Sequence, residues 1–385
     1  MSTDQHAVVV GAGIVGLASA YALAERGVRT TVLEKESRVA AHQTGNNSGV
    51  IHSGLYYQPG SLKAKLGVAG AESMLAFARD HGIAVEQTGK LVVATREEQV
   101  PRLHDLLRRG EANGVPCRLV TPEEAREHEP NVACVAALRV DSTGIVDYVG
   151  VSTALARLVE ENGGEVRTGT AVRAIESRGG RVQVSTDGAS IDADLLVNCA
   201  GLHSDRVARL AGVRPDVRIV PFRGEYFELD AEHAGLVHGL IYPVPDPTLP
   251  FLGVHLTRMI GGGTHAGPNA VLALAREGYS WRNVVPRDVW DSVTWPGLWR
   301  LGRTYWRTGI DEVARSLSHK RFAASLRELV PAIPDHALVP THAGVRAQAM
   351  RRDGRLVDDF HLVRRPGQVH VLNAPSPAAT ASLEI

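Results

Sequence analysis

The stretch AVVVGAGIVGLASAYALAERGVRTTVLE, Ala7 to Glu34, decides the reading of the chain. An apolar run, Ala7-Val8-Val9-Val10, leads into Gly11-Ala12-Gly13-Ile14-Val15-Gly16, and an Ala-rich segment of helical character continues to Arg26. Gly27, a second β-branched run at Thr30-Thr31-Val32-Leu33 and the acid Glu34 complete the unit. The order is strand, glycine turn, helix, strand and acid. Each glycine serves a physical purpose, whether a tight turn, close approach of backbone to a pyrophosphate, or close packing of helix on strand. The helix start supplies unpaired N–H groups and about half a positive charge to phosphate oxygens. Glu34 is placed to accept hydrogen bonds from ribose hydroxyls, so the stretch predicts an adenine dinucleotide site.

Working outward, 385 residues allow two domains, and 44% apolar with 22% charged residues is ordinary globular composition. Lys plus Arg and Asp plus Glu balance at 42 each, so no net field draws the protein to nucleic acid. The three cysteines, Cys117, Cys134 and Cys199, form no CxxC and point to a reducing, cytoplasmic setting with neither a disulfide frame nor a metal site. No targeting segment is expected, because the first strand begins within a few residues of Met1. Ala7 to Ala24 carries no charge, yet its spaced glycines and charged flanks fit a buried strand and helix better than a membrane span.

Ala41 to Tyr57, rich in Gly, Asn, Ser and His, reads as an extended loop, and its place directly after the acid puts it beside the cofactor. Ser61 to Gly82 has the apolar spacing of a helix. Asp192 to Gly201 reads as a buried strand ending in a second small-residue turn, and Arg218 to Gly263 as a strand-rich mixed sheet. Helical segments are predicted from Pro286 to about Ser318 and from Arg321 to Leu329, with a last helix opening at Pro375. The expected fold class is α/β, a Rossmann-type dinucleotide-binding domain with a mixed-sheet α+β substrate domain. The first takes residues 1–83, 141–215 and 335–385, and the second 84–140 and 216–334.

Several motifs together carry a resemblance: GAGIVGL (11–17), HQTGNNSGVIHSGLYY (42–57), DLLVNCAGLHSD (194–205), PFRGEYFEL (221–229), LIYPVPDP (240–247), PFLGVHLTR (250–258), GPNAVLA (267–273) and LNAPSPAATASL (372–383). The chain resembles the glycine-oxidase and D-amino-acid-oxidase-like flavoproteins, and within them the L-2-hydroxyglutarate oxidase/dehydrogenase family. The resemblance implies FAD. It implies Gly11, Gly13, Ile14, Val15, Gly16 and Glu34 on the ADP half with Lys35 beside them, and Thr44, Gly45, Asn47, Ser48 and Gly49 along the pyrophosphate and flavin edge. Val172 would frame the adenine, Ala200 and Gly201 close the second phosphate turn, and Ser376, Ala378, Ala379 and Thr380 lie near the flavin pyrimidine.

The implied reaction is oxidation of L-2-hydroxyglutarate, or a close 2-hydroxy dicarboxylate, to the 2-oxo acid, with the C2 hydride passing to flavin N5 and then to oxygen or a quinone. Such chemistry needs a base near neutral pH, for which His52 and His255 are the leading candidates and His265 a weaker one. It also needs cationic forks for two carboxylates, with Arg223, Arg258 and Arg346 as candidates and Tyr57, Tyr226 and Tyr242 as hydroxyl donors. An amino-acid or secondary-amine oxidase of the same fold is the nearest rival, and a flavin-bearing assembly protein without turnover is another. All five tryptophans fall between Trp281 and Trp306 among several arginines. Segment 281–307 is read either as a helix pair over the substrate domain or as a peripheral contact with the inner face of the cell membrane.

Overall fold

The computed structural model describes residues 5–246 and 253–385, apart from the side chains of residues 308, 311, 315 and 317. Pro247 of the motif at 240–247 and residues 250–252 of the motif at 250–258 lie outside the described residues. The strand His6–Val10 lies inside a six-stranded sheet, between Leu195–Asn198 and Arg29–Leu33. Glu165–Arg167 extends the sheet on one side, and Gln368–Asn373 with the antiparallel His361–Arg365 extends it on the other. Strand alternation feeds two cores. Val9, Val32 and Val197 pack with Leu17, Met74, Val151 and Leu155 of the helical layer, while Val8, Val10, Leu33 and Leu196 pack with Ile175, Val182 and Val184. The latter three belong to a three-stranded antiparallel sheet, Val172–Arg178, Arg181–Thr186 and Ser190–Ala193, that covers the opposite face.

A second, nine-stranded sheet has the long strand Val217–Leu229 near one end and includes Lys90–Ala94, Ala136–Val140, Leu240–Pro243, His255–Arg258 and Thr264–Gly267. It is mixed, because Leu240–Pro243 pairs parallel with Lys90–Ala94 and antiparallel with His255–Arg258. A small antiparallel sheet of Val50–Ile51, Gly144–Val146 and Val85–Glu86 sits where the chain passes between the two large sheets. Helix starts follow local chemistry: Ser61 caps Leu62–Asp80 through Ala64 N, and Asp147 caps Tyr148–Glu161 through Val149 N.

Three expectations are corrected. The return to the first domain near residue 335 is too early, because Leu338–Arg351 pairs along almost the whole of Val217–Leu229 in the second sheet. A strand's sheet is set by its partner, which no local pattern specifies. The helical segment expected over 286–318 is interrupted and forms two helices, Pro286–Val293 and Pro296–Leu317, in line with the helix-pair reading of 281–307, because Pro296 restarts the chain and Trp295 is buried with its indole N–H donating to Met350 O at 3.1 Å. After Pro375 the chain makes successive turns, with Ala378 N bonded to Pro375 O and Ala381 N to Pro377 O, both at 2.9 Å. Pro375 and Pro377 supply no donors, and Ser376 before a proline is pushed out of the α region, so a regular helix does not start.

Candidate active site

One cavity of about 1890 Å³ runs from the glycine turn to the face of the second sheet. That exceeds the roughly 300–1,000 Å³ of a small-ligand pocket and fits a dinucleotide with a substrate beyond it. At one end Gly11 takes φ +103°, and a Cβ on Gly16 would stand 1.9 Å from Gly11 O. Only glycine lets the helix start so close to the turn. The helix Ile14–Ala24 has Gly13 at its N-cap with no side-chain cap, and only Ile14 N is bonded from outside, to Thr44 Oγ1 at 3.1 Å. The first turn therefore keeps donors for an anion, and no side chain fills the space before it. Glu34 is buried; its carboxylate accepts from Ala12 N at 2.8 Å and Glu36 N at 2.9 Å while still lining the cavity. This cradle, made of a bare helix terminus, a Cβ-free approach and a buried acid, fits FAD. FAD would lie along Gly13, Ile14, Val15, Gly16, Glu34, Val172, Ala200 and Gly201.

Thr44, Asn47, Ser48, Ser376, Ala378, Ala379 and Thr380 also line the cavity. Thr380 Oγ1 ties the loop after Ala41 to the C-terminal turns by accepting from His52 N at 3.0 Å and meeting Tyr148 Oη at 3.0 Å. Gly45 and Gly49 are not among the residues that line the cavity: a Cβ on Gly45 would meet Ala40 O at 2.5 Å, and Gly49 takes φ +67°, where a Cβ would stand 3.2 Å from Val146 O. They shape the loop from behind. Lys35 lines the cavity, but its ammonium pairs with Glu36 and, at 2.7 Å, with Glu277. Glu277 also receives His203 Nε2 at 2.8 Å, and this bond, with Lys35, outweighs burial and holds its carboxyl at about 2. Glu36, His42 and Glu277 bring three ligand-type atoms within 4.8 Å of one another, around a cation that Lys35 already provides.

The opposite end of the cavity gathers His52, Tyr56, Tyr57, Lys63, Tyr226, Tyr242, His255 and Arg346. Burial, then Lys90, His255 and Lys63, push the His52 imidazole down to about 3, and its Nδ1 is buried without a partner. His255 Nδ1 lies 2.9 Å from Gly253 O, so this nitrogen carries the hydrogen and Nε2 keeps a lone pair. The ring stacks on Tyr242 at 4.0 Å between centroids. Burial pushes it down to about 4, with Arg346 and Lys90 adding to the shift and Gly253 opposing it. Both imidazoles are neutral at pH 7. Arg346 is held by Asn269 O at 3.3 Å, and burial lowers its guanidinium below the usual range. Lys63 lies over the Tyr57 ring at 4.7 Å and pairs with Asp358 at 3.1 Å.

Two of the expected substrate arginines lie elsewhere. Arg223 is 1% exposed, pairs with Glu225 at 3.0 Å, lies 4.1 Å from the Trp281 ring centroid and does not line the cavity. The period of two along Val217–Leu229 gives the cavity to Gly224 and Tyr226 and turns Arg223 away. Arg258 fails for the same reason: on His255–Arg258 it alternates with His255 and instead reaches Glu86 at 2.9 Å across the surface. His265 also lies off the cavity, 5.2 Å from His342 ring to ring. Sequence reasoning does not single out Tyr56, Lys63 or Lys90. The signal for Lys90 is a lysine opening an otherwise apolar strand, Lys90–Ala94, that is buried throughout.

The comparisons agree with this geometry. The FAD dependent oxidoreductase family (DAO) matches residues 6–385. The L-2-hydroxyglutarate dehydrogenase of Indibacter alkaliphilus is 49% identical, over 99% of this chain and 97% of its own. The mitochondrial L-2-hydroxyglutarate dehydrogenase of Homo sapiens is 45% identical, over 98% of this chain and 86% of its own. Among solved structures, dithionite-reduced L-alpha-glycerophosphate oxidase of Mycoplasma pneumoniae with FAD bound superposes with a TM-score of 0.80 at 24% identity, over 100% of this chain and 93% of that one. A cradle built for an adenine dinucleotide, opening onto two neutral imidazoles, is thus what similarity over nearly the whole chain also leads to: the chain belongs to the FAD dependent oxidoreductase family and groups there with the L-2-hydroxyglutarate dehydrogenases.

Proposed function

We propose that this protein oxidises L-2-hydroxyglutarate, or a close 2-hydroxy dicarboxylate, to the 2-oxo acid. The observation that carries the reading is the meeting, at the far end of the dinucleotide cradle, of the neutral imidazoles of His52 and His255 with the half-buried Arg346 and the buried Lys63. FAD, when bound, supplies the two-electron acceptor. Arg346 binds the C1 carboxylate and orients it, with Tyr226 and Tyr242 also lining this end of the cavity. His255 accepts the hydroxyl proton at Nε2, because Nδ1–H is committed to Gly253 O. His52 offers its unpartnered Nδ1 to the same hydroxyl. Substrate carboxylates raise both imidazole pKa values as they arrive, so basicity develops only in the complex. Anaerobic mixing with L-2-hydroxyglutarate, and separately with glycine, sarcosine and D-amino acids, tests the reading. Bleaching of the yellow colour by the hydroxy acid alone supports it, and bleaching by amines alone defeats it.

A peripheral contact with the inner face of the cell membrane extends this reading. Trp290, Trp299, Trp306 and Ile310 on the helices Pro286–Val293 and Pro296–Leu317 are each more than half exposed. Arg287, Arg300, Arg303 and Arg307 accompany them, a mixture that suits the headgroup boundary. Trp295 is no part of it, being buried, and Trp281 lies under Arg223. No helix of the described residues is long and apolar enough to cross a membrane. A cytoplasmic enzyme resting on the bilayer would deliver electrons to a quinone in place of oxygen. Failure to sediment with liposomes, with or without anionic lipid, would remove the membrane contact.

A further inference from the structure

Lys90 opens a strand in which every residue is buried, and it is itself 1% exposed. Its Nζ lies 4.4 Å from the centroid of the Tyr56 ring and 5.0 Å from that of Tyr242, and both rings line the cavity. Tyr242 in turn carries the stacked His255. The titratable groups that face Lys90 are His52, Tyr56, Tyr242 and His255. None is negative at neutral pH, since burial lowers the two imidazoles and raises the two phenols. No described carboxylate affects the ammonium, whose pKa burial alone pulls down to about 7. An ammonium buried without a counter-charge is costly, and contact with two aromatic faces returns only part of that cost. An anion brought in by a ligand is what would complete the site.

We propose that Lys90 selects for a second negative charge on the hydroxy acid, acting through the Tyr56 and Tyr242 rings as a positioning residue for a dicarboxylate. The proposal rests on the 2-hydroxy acid oxidation put forward above. A carboxylate in contact with either ring lies within about 8 Å of Nζ, and at an effective dielectric of about 20 Coulomb's law makes the charge worth about 30-fold in binding. Arg346 is assigned above to the C1 carboxylate and Lys63 pairs with Asp358, which leaves Lys90 as the buried cation for the second carboxylate.

Two measurements on the holoenzyme test this. In the first, Lys90→Met and Lys90→Arg are compared with the unchanged protein on L-2-hydroxyglutarate and on L-2-hydroxyvalerate, a monocarboxylate of equal length. Lys90→Met is expected to lose about 30-fold in kcat/KM on the dicarboxylate and less than about threefold on the monocarboxylate, with Lys90→Arg keeping the ratio. Equal losses on both substrates, as a structural role would give, overturn the proposal. The second needs no variant: glutarate and butyrate are titrated into the unchanged holoenzyme from pH 6 to 9, with binding read from the flavin absorbance. Glutarate is expected to weaken relative to butyrate as pH rises and Lys90 loses its proton, and a constant ratio overturns the proposal even if Lys90→Met does not fold. Glutarate binding with this pH dependence, but no bleaching by any 2-hydroxy acid, would support Lys90 and defeat the function.

Discussion

Removal of Asp205 gives the sharpest energetic test of how the cofactor turn is held. Asp205 and Arg276 are 0% and 1% exposed and form a two-point ion pair, with Nη2 to Oδ2 at 3.0 Å. Arg209 reaches the same carboxylate at 3.0 Å. Burial alone would raise the carboxyl pKa, but Arg276 and Arg209 outweigh it and hold it below the usual range. In Asp205→Ala the Arg276 guanidinium keeps only Leu202 O at 2.6 Å and the more distant Asp291 at 3.7 Å. Breaking a buried pair this way costs about 3–5 kcal/mol. In Asp205→Ala/Arg276→Met both charges leave together, and the double variant should regain about 2–3 kcal/mol relative to the sum of the single changes. Urea unfolding of all four proteins measures the cycle. Because Asp205 follows the Ala200–Gly201 turn closely, flavin retention should fall with Asp205→Ala and recover in part in the double variant. Strict additivity of the two single changes would refute the buried-pair account.

Gly16→Ala should abolish flavin retention, because its Cβ would stand 1.9 Å from a backbone oxygen that has no room to give; flavin absorbance per protein reads this directly. His52 and His255, pushed down to about 3 and 4 in the fold against 6.5 unfolded, make the unfolded chain bind more protons below pH 6.5. Stability should be fully present above that pH and fall progressively toward pH 4, and thermal unfolding of His52→Asn and His255→Asn should show a flatter acid limb. Arg346→Met should raise KM or lower kcat/KM by at least about a hundredfold, whereas Arg258→Ala should change either by less than about twofold, since it breaks only a surface pair with Glu86. Equal effects of the two would place the carboxylate anchor wrongly.

Much of the cofactor half was legible because its determinants are local. Gly11, Gly13, Gly16 and Glu34 lie within one strand-helix-strand unit, where backbone sterics and the helix terminus dictate glycine and an acid at fixed spacing. The substrate half was less legible. Arg223 and Arg258 stand in the expected motifs, yet each falls one residue out of phase with the face that meets the cavity. A period of two says that faces alternate, without saying which face meets the cofactor. Lys90 carried an opposite lesson: a charge at the head of an apolar strand marks burial, and only its neighbours give that burial a purpose.

The sequence by itself determined the dinucleotide cradle, the α/β class and the family, since these follow from near-neighbour spacing and from motifs spread along the chain. Tertiary structure alone decided that Leu338–Arg351 joins the second sheet, that His255 presents Nε2, and that of the three candidate arginines Arg346 lines the cavity, with Lys63 beside it and Lys90 behind the Tyr56 and Tyr242 rings. The reason is physical: strand pairing, side-chain phase and burial are set between residues far apart in the chain, where local propensity has no say.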